Sequence, residues 1–196
     1  MNQIFFVHGG MTFSSNERYL DWLKTLDVDI DERISWSGEY LKAQLPDYKI
    51  IKPQFPNDFN AHYNEWKIYF ERFIPLLEDN LIIIGNSLGS IFLTRYLSEN
   101  IFPKKIKALI LVGAPFDDSL PDEELCNGFE LSEALSKLNA LNPIFFFSED
   151  DPIVPPDQIE KYKERLPNAT IHVLKDKNGH FKVETFPELI DVIKNS

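Results

Sequence analysis

Short apolar runs at residues 4–7, 48–51, 81–84, 108–112, 144–147 and 170–174 divide the chain. Most are continuous rather than alternating, as in parallel strands buried on both faces. Between them, large apolar residues recur at the three- and four-residue spacing of amphipathic helices. Residues 17–26 bring Leu20, Leu23 and Leu26 together with Trp22 nearby, and residues 61–77 carry Trp66, Tyr69, Phe70 and Phe73. Residues 87–99 repeat Leu88, Ile91, Phe92, Tyr96 and Leu97; residues 158–166 and 187–193 supply two further helices, and 131–138 a short one. Strands alternating with helical crossovers predict an α/β fold, about six mostly parallel strands flanked by helices.

Boundary residues agree with this reading. Asn57, Asp58 and Asn60 offer N-caps for the helix over 61–77, Pro187 suits a first helical turn, and Pro103 follows the helix after Ser87. Pro75 should kink or restart the helix it sits in. No repeat, low-complexity tract or linker interrupts residues 1–196, which predicts a single domain.

In an open parallel sheet, chemistry collects beyond the carboxyl ends of the strands. The pentapeptide Gly85-Asn86-Ser87-Leu88-Gly89 follows the third run directly and opens a helical segment. That context suits a nucleophile elbow, where a strand breaks sharply into a helix and small residues two positions either side of the serine give clearance. The competing reading is a glycine-rich turn that holds phosphate; no Lys or Arg follows the turn before Arg95, which counts against it. The fifth run leads into Asp150 and Asp151, and the sixth into Gly179 and His180. A serine, an acid and a histidine thus project from one rim in the order Ser…Asp…His, the order of α/β-hydrolases. Of four histidines, His172 lies mid-strand, His62 starts a helix, and His8 precedes a glycine pair and fits a structural role in shaping the loop. His180 remains as the base for Ser87, a hydroxyl that needs one at neutral pH.

These residues, with Pro56-Asn57, Trp66, Asp150-Asp151-Pro152-Ile153-Val154-Pro155 and Gly179-His180-Phe181, resemble the α/β-hydrolase superfamily over nearly the whole chain. Within it the chain is most similar to small, lidless serine hydrolases of the retinoblastoma-binding-protein-nine type. The resemblance implies carboxylesterase or small-peptidase activity, with no metal and no cofactor. It also implies Asp151, spaced as the family spaces its carboxylate ahead of Val154 and Pro155, as the acid, with Asp150 as the alternative. The oxyanion would be held by the amide of Leu88 and by that of Gly10 or Met11. Many relatives carry histidine where this chain has Asn86, a position expected to pack behind the turn.

Composition narrows the partners. A formal charge of −11 argues against nucleic acid and anionic membranes, which need a basic footprint. The single cysteine, Cys126, cannot form an internal disulfide, and its acidic neighbours should raise the thiol pKa. With no export signal and no long apolar span, a cytoplasmic location is expected. The segment between the fourth and fifth runs is too short for a large lid, which favours small soluble esters or amides. Phe13, Phe55, Phe59 and Phe116 stand beyond strand ends as candidate pocket residues. A different class of function, a protein-binding module with a vestigial triad, would use the acidic stretch 117–130 as its contact surface.

Overall fold

The computed structural model describes residues 2–30, 34–121 and 123–196. All six apolar runs become strands: β1 (Asn2–Val7), β2 (Tyr48–Ile51), β3 (Leu81–Asn86), β4 (Ile106–Val112), β5 (Ile144–Ser148) and β6 (Thr170–Leu174). They form one sheet in the order β2-β1-β3-β4-β5-β6, and every neighbouring pair is parallel. Among the described residues, six α-helices accompany them: α1 (Asn16–Thr25), α2 (Leu41–Gln44), α3 (Tyr63–Phe73), α4 (Leu88–Glu99), α5 (Pro156–Arg165) and α6 (Pro187–Asn195). None of the described helices is long and apolar enough to cross a membrane.

The continuous apolar strands are explained by two cores, one on each face of the sheet. Phe5, Val7, Ile83, Leu109, Leu111, Phe145 and Phe147 face α3, α4 and α5, whereas Ile4, Phe6, Ile82, Ile84, Ile110 and Phe146 face α2 and α6. Because side chains alternate along a strand, both sets must be apolar when both faces are covered. The second core is plugged by Trp36, whose indole N–H donates to the Phe181 carbonyl at 3.2 Å. Residues 36–44, a wide turn followed by α2, carried no helical signal in the sequence because their apolar residues are too few to set a period.

Pro75 restarts the helix as expected, standing early in a distinct 3-10 turn, Ile74–Leu76, that follows α3. Two other local expectations change. Asn57, Asp58 and Asn60 do not cap α3: Asn57 opens a separate turn, Asp58–Asn60, in the left-handed conformation, and His62 occupies the N-cap position. In α1, Leu20 and Leu23 are 46% and 37% exposed, and the half-buried residues are Tyr19 and Trp22, followed by Leu26. The acidic stretch beyond β4 folds back rather than standing free. Leu125 and Phe129 are core residues, Asp117 pairs with Lys161 at 2.9 Å, and Glu124 pairs with Arg18.

At the β3–α4 junction, Ser87 has φ 53 and ψ −120, a conformation that non-glycine residues rarely adopt. The turn is fixed to β4, because the Val112 carbonyl accepts from Ser87 N–H at 2.8 Å and from Ser90 Oγ at 2.9 Å. Helix α4 then passes so close to β1 that a Cβ on Gly89 would lie 2.5 Å from the His8 carbonyl oxygen and nearer still to that of Val7. One on Gly85 would lie 2.6 Å from Ser90 Cα. These neighbours are backbone and cannot swing aside. Gly89→Ala is therefore expected to cost stability at the upper end of the roughly 1–3 kcal/mol typical of overpacking, read as a lowered urea midpoint. An unchanged midpoint would contradict the close approach.

Candidate active site

The loops at the carboxyl edge of β1, β3, β5 and β6 surround a cavity of about 510 Å³. Ser87, at the strained turn, lines it together with Gly9, Gly10 and Met11 from the loop after β1 and His180 from the loop after β6. Trp22, Leu26, Phe59 and Ile153 add apolar side chains to the lining. Among the sequence candidates for a pocket, Phe59 alone reaches this cavity. Phe13 packs on Trp22 at 5.3 Å, Phe55 is buried against Trp66 at 4.9 Å, and Phe116 packs on Tyr162 at 5.0 Å. Trp22, Leu26, Ile153 and Lys182 were not identified from the sequence, which has no signal for a helix and two loops converging on Ser87.

His180 is held by two adjacent carboxylates with different tasks. Its Nδ1 lies 2.6 Å from Asp151 Oδ2, and Asp151 Oδ1 accepts the amides of Ile153 at 2.9 Å and Val154 at 3.1 Å. The Asp151 side chain is almost completely buried, so its charge is balanced by three N–H donors rather than by water. Asp150 never touches the ring. Its Oδ2 accepts the Gly179 amide at 2.8 Å and its Oδ1 the Lys177 amide at 3.3 Å, which fastens the backbone leading into His180. Hydrogen bonds from the Ser148 hydroxyl and the Gly179 N–H hold the Asp150 carboxyl down at about 2. The His180 ring lies against Gly113 at the end of β4, where a Cβ would sit 2.8 Å from Cε1. The only sequence signal for Gly113 is a glycine immediately after a buried strand.

A carboxylate can only accept, so the Asp151 bond fixes the proton on His180 Nδ1 and leaves Nε2 as an acceptor. That Nε2 is buried and has no hydrogen-bond partner. The Asn86 side-chain oxygen is also buried and unpartnered, and Asn86 lines this cavity and a neighbouring one of about 450 Å³ instead of packing behind the turn.

His8 forms the far side of the β1 loop. Phe55 N–H donates to His8 Nε2 at 2.7 Å, so Nδ1 carries the proton and donates to the Gly9 carbonyl at 2.6 Å. Burial pushes the His8 pKa below the ordinary histidine value, favouring this neutral form. Met11 donates its N–H to the Asp58 carbonyl at 2.8 Å, whereas among the described residues no hydrogen bond is made by the amides of Gly10 or Leu88. Cys126 stands outside this arrangement; burial, reinforced by Glu124, Asp118 and Glu130, pushes its thiol up. No group of three or more His, Cys, Asp or Glu among the described residues could hold a metal ion.

Comparison with known proteins places the chain in a family. Among solved structures of the same fold, the ydeN gene product from B. subtilis has a TM-score of 0.77 and 19% identity, covering 100% of this chain and 98% of that one. A putative yden-like hydrolase from Pectobacterium atrosepticum has a TM-score of 0.66 and 13% identity, covering 99% and 90%. A methylesterase from Arabidopsis has a TM-score of 0.61 and 14% identity, covering 100% and 98%. No curated protein sequence matches the chain. The serine hydrolase family model matches residues 35–190, a span that contains Ser87, Asp151 and His180. The chain belongs to the serine hydrolase family, on the α/β-hydrolase fold.

Proposed function

We propose that Ser87, His180 and Asp151 form the catalytic triad of an enzyme that cleaves small esters or amides through an acyl-enzyme intermediate. The observation that carries this reading is the unpartnered, buried Nε2 of an imidazole whose other nitrogen is bonded to Asp151, in a cavity shared with the strained Ser87. In free enzymes the serine–histidine bond is often long and tightens only with substrate. A rotation of the Ser87 side chain then delivers its proton to Nε2 as Oγ attacks the substrate carbonyl carbon. Asp151 stabilises the resulting imidazolium, and Nε2–H returns the proton to the leaving oxygen or nitrogen. Water repeats the sequence on the acyl-enzyme and regenerates Ser87.

The tetrahedral oxyanion needs two donors aimed at one point. The Leu88 amide, first in α4, is one. Of the two expected from the β1 loop, Met11 has already given its N–H to Asp58, so the role falls to Gly10. His8 helps to aim it. In a trans peptide the carbonyl and the following N–H point oppositely, so holding the Gly9 carbonyl against His8 directs the Gly10 N–H away from His8.

Three measurements test the reading. An alkyl fluorophosphonate should label Ser87, and Ser87→Ala should abolish both labelling and turnover; full labelling of Ser87→Ala would overturn the assignment. Asp151→Asn should lower kcat on the order of 10⁴-fold through the wrong imidazole tautomer, with the fold intact by circular dichroism. Asp150→Asn, which touches only the loop, should cost about tenfold or less, and the reverse ranking would exchange the two roles. For His8, a folded pKa below the unfolded value means that the unfolded chain binds more protons in between. Its contribution to stability is therefore complete above the ordinary histidine value of about 6.5 and lost as pH falls through the lowered folded value. An NMR titration should find the His8 ring still neutral below that value, and His8→Asn should flatten the corresponding acid-side loss of stability.

A further inference from the structure

Helix α1 is amphipathic, yet none of its ten residues is fully buried. A helix this short is marginal alone and depends on packing of its apolar face. Here that face is a run of rings with little core beneath it. Trp22 is stacked on Tyr19 at 6.3 Å, tilted on Phe13 at 5.3 Å, and edge-on to Phe59 at 5.6 Å. Glu124 tethers the N-terminal end, accepting Ser14 N–H at 2.6 Å and pairing with Arg18. Further along, Trp22 and Leu26 form a wall of the cavity that contains Ser87 and Gly10. At its C-terminal end the helix thus lines the cavity with the apolar side chains of Trp22 and Leu26.

We propose that α1 is a cap whose Trp22 and Leu26, with Met11, Phe59 and Ile153, bind an apolar acyl group of intermediate length, straight or aromatic, and that this group orders the helix. The cavity, at about 510 Å³, is within the size range of sites for small organic ligands. Among the described residues, Asp58 and Glu123 add two carboxylates to its lining and Lys182 one ammonium, which disfavours a negatively charged acyl chain. The inference rests on the hydrolase reading for which end of the substrate meets Ser87, since the acyl carbonyl must lie between Oγ and the amides of Leu88 and Gly10.

The test has two arms. Acetyl, butanoyl and octanoyl esters of one chromogenic alcohol are compared with wild-type enzyme. Burial of each added methylene should raise kcat/KM by about fourfold until the cavity is filled, and Trp22→Ala and Phe59→Leu should each flatten that dependence. Separately, octanamide is titrated into Ser87→Ala and followed by tryptophan fluorescence. Trp36 and Trp66 are 2% and 0% exposed, so the response should come from Trp22 and vanish in Trp22→Phe. Octanamide, but not acetamide, should slow amide hydrogen exchange across residues 16–25. An active enzyme that treats acetyl and octanoyl esters alike, or octanamide binding that leaves 16–25 unprotected, overturns the cap. If Ser87 proves unreactive while octanamide still protects α1, the hydrolase reading falls and the acyl site stands.

Discussion

The arrangement depends on the close passage of α4 over the ends of β1 and β3. A strand that turns abruptly into a helix forces its pivot residue into a rare backbone conformation, and Ser87 adopts it. Such strain persists only where the surroundings leave no alternative. Here the Val112 carbonyl holds both Ser87 and Ser90, and clearance at Gly85 and Gly89 lets the helix press directly on the backbone of Val7 and His8. Ser87 thereby comes to line the cavity, and Leu88, whose amide is unbonded among the described residues, follows it as the first residue of α4. One steric condition therefore underlies both the proposed nucleophile and one of the proposed oxyanion donors.

Around this pivot, charges are placed with their partners already supplied. Asp150 and Asp151 are neighbours in sequence and separate in task. Asp150 ties the backbone before His180 through Lys177 and Gly179, while Asp151 holds the ring itself and is satisfied by two further amides. A buried carboxylate without such donors would be costly. His8 does comparable work as a neutral ring, joining Phe55 to Gly9 and so linking the ends of β1 and β2. These are polar contacts between loops that the sheet edge already brings together.

The contrast lies above the cavity. Most apolar surface in this fold is buried by strands and helices pressing on one another, but α1 offers Trp22 and Leu26 to an open volume. Meanwhile the acidic stretch after β4, the other segment able to cover the site, spends its apolar residues Leu125 and Phe129 on the core. From that stretch Glu123 still reaches the cavity lining, whereas the segment after β1 contributes the apolar side chains of Trp22 and Leu26.

Much of this was legible in the chain. Six apolar runs gave six strands, because strands covered on both faces require continuous apolar side chains. The two glycines of the elbow could be read because the steric demands there fall on residues close in sequence, and Ser87, Asp151 and His180 because each follows the carboxyl end of its own strand. The inward face of α1 could not be read: Leu20 and Leu23 carry as good a period as Tyr19 and Trp22, and the choice between them lies in what stands opposite. The same holds for Met11, excluded as a donor by the Asp58 carbonyl, and for Gly113, needed because the His180 ring lies on it. Local pattern determined the elements and the chemistry they carry. Only tertiary structure decided which donors are already bonded and which apolar side chains line the cavity, since both depend on groups distant along the chain that meet once the sheet has formed.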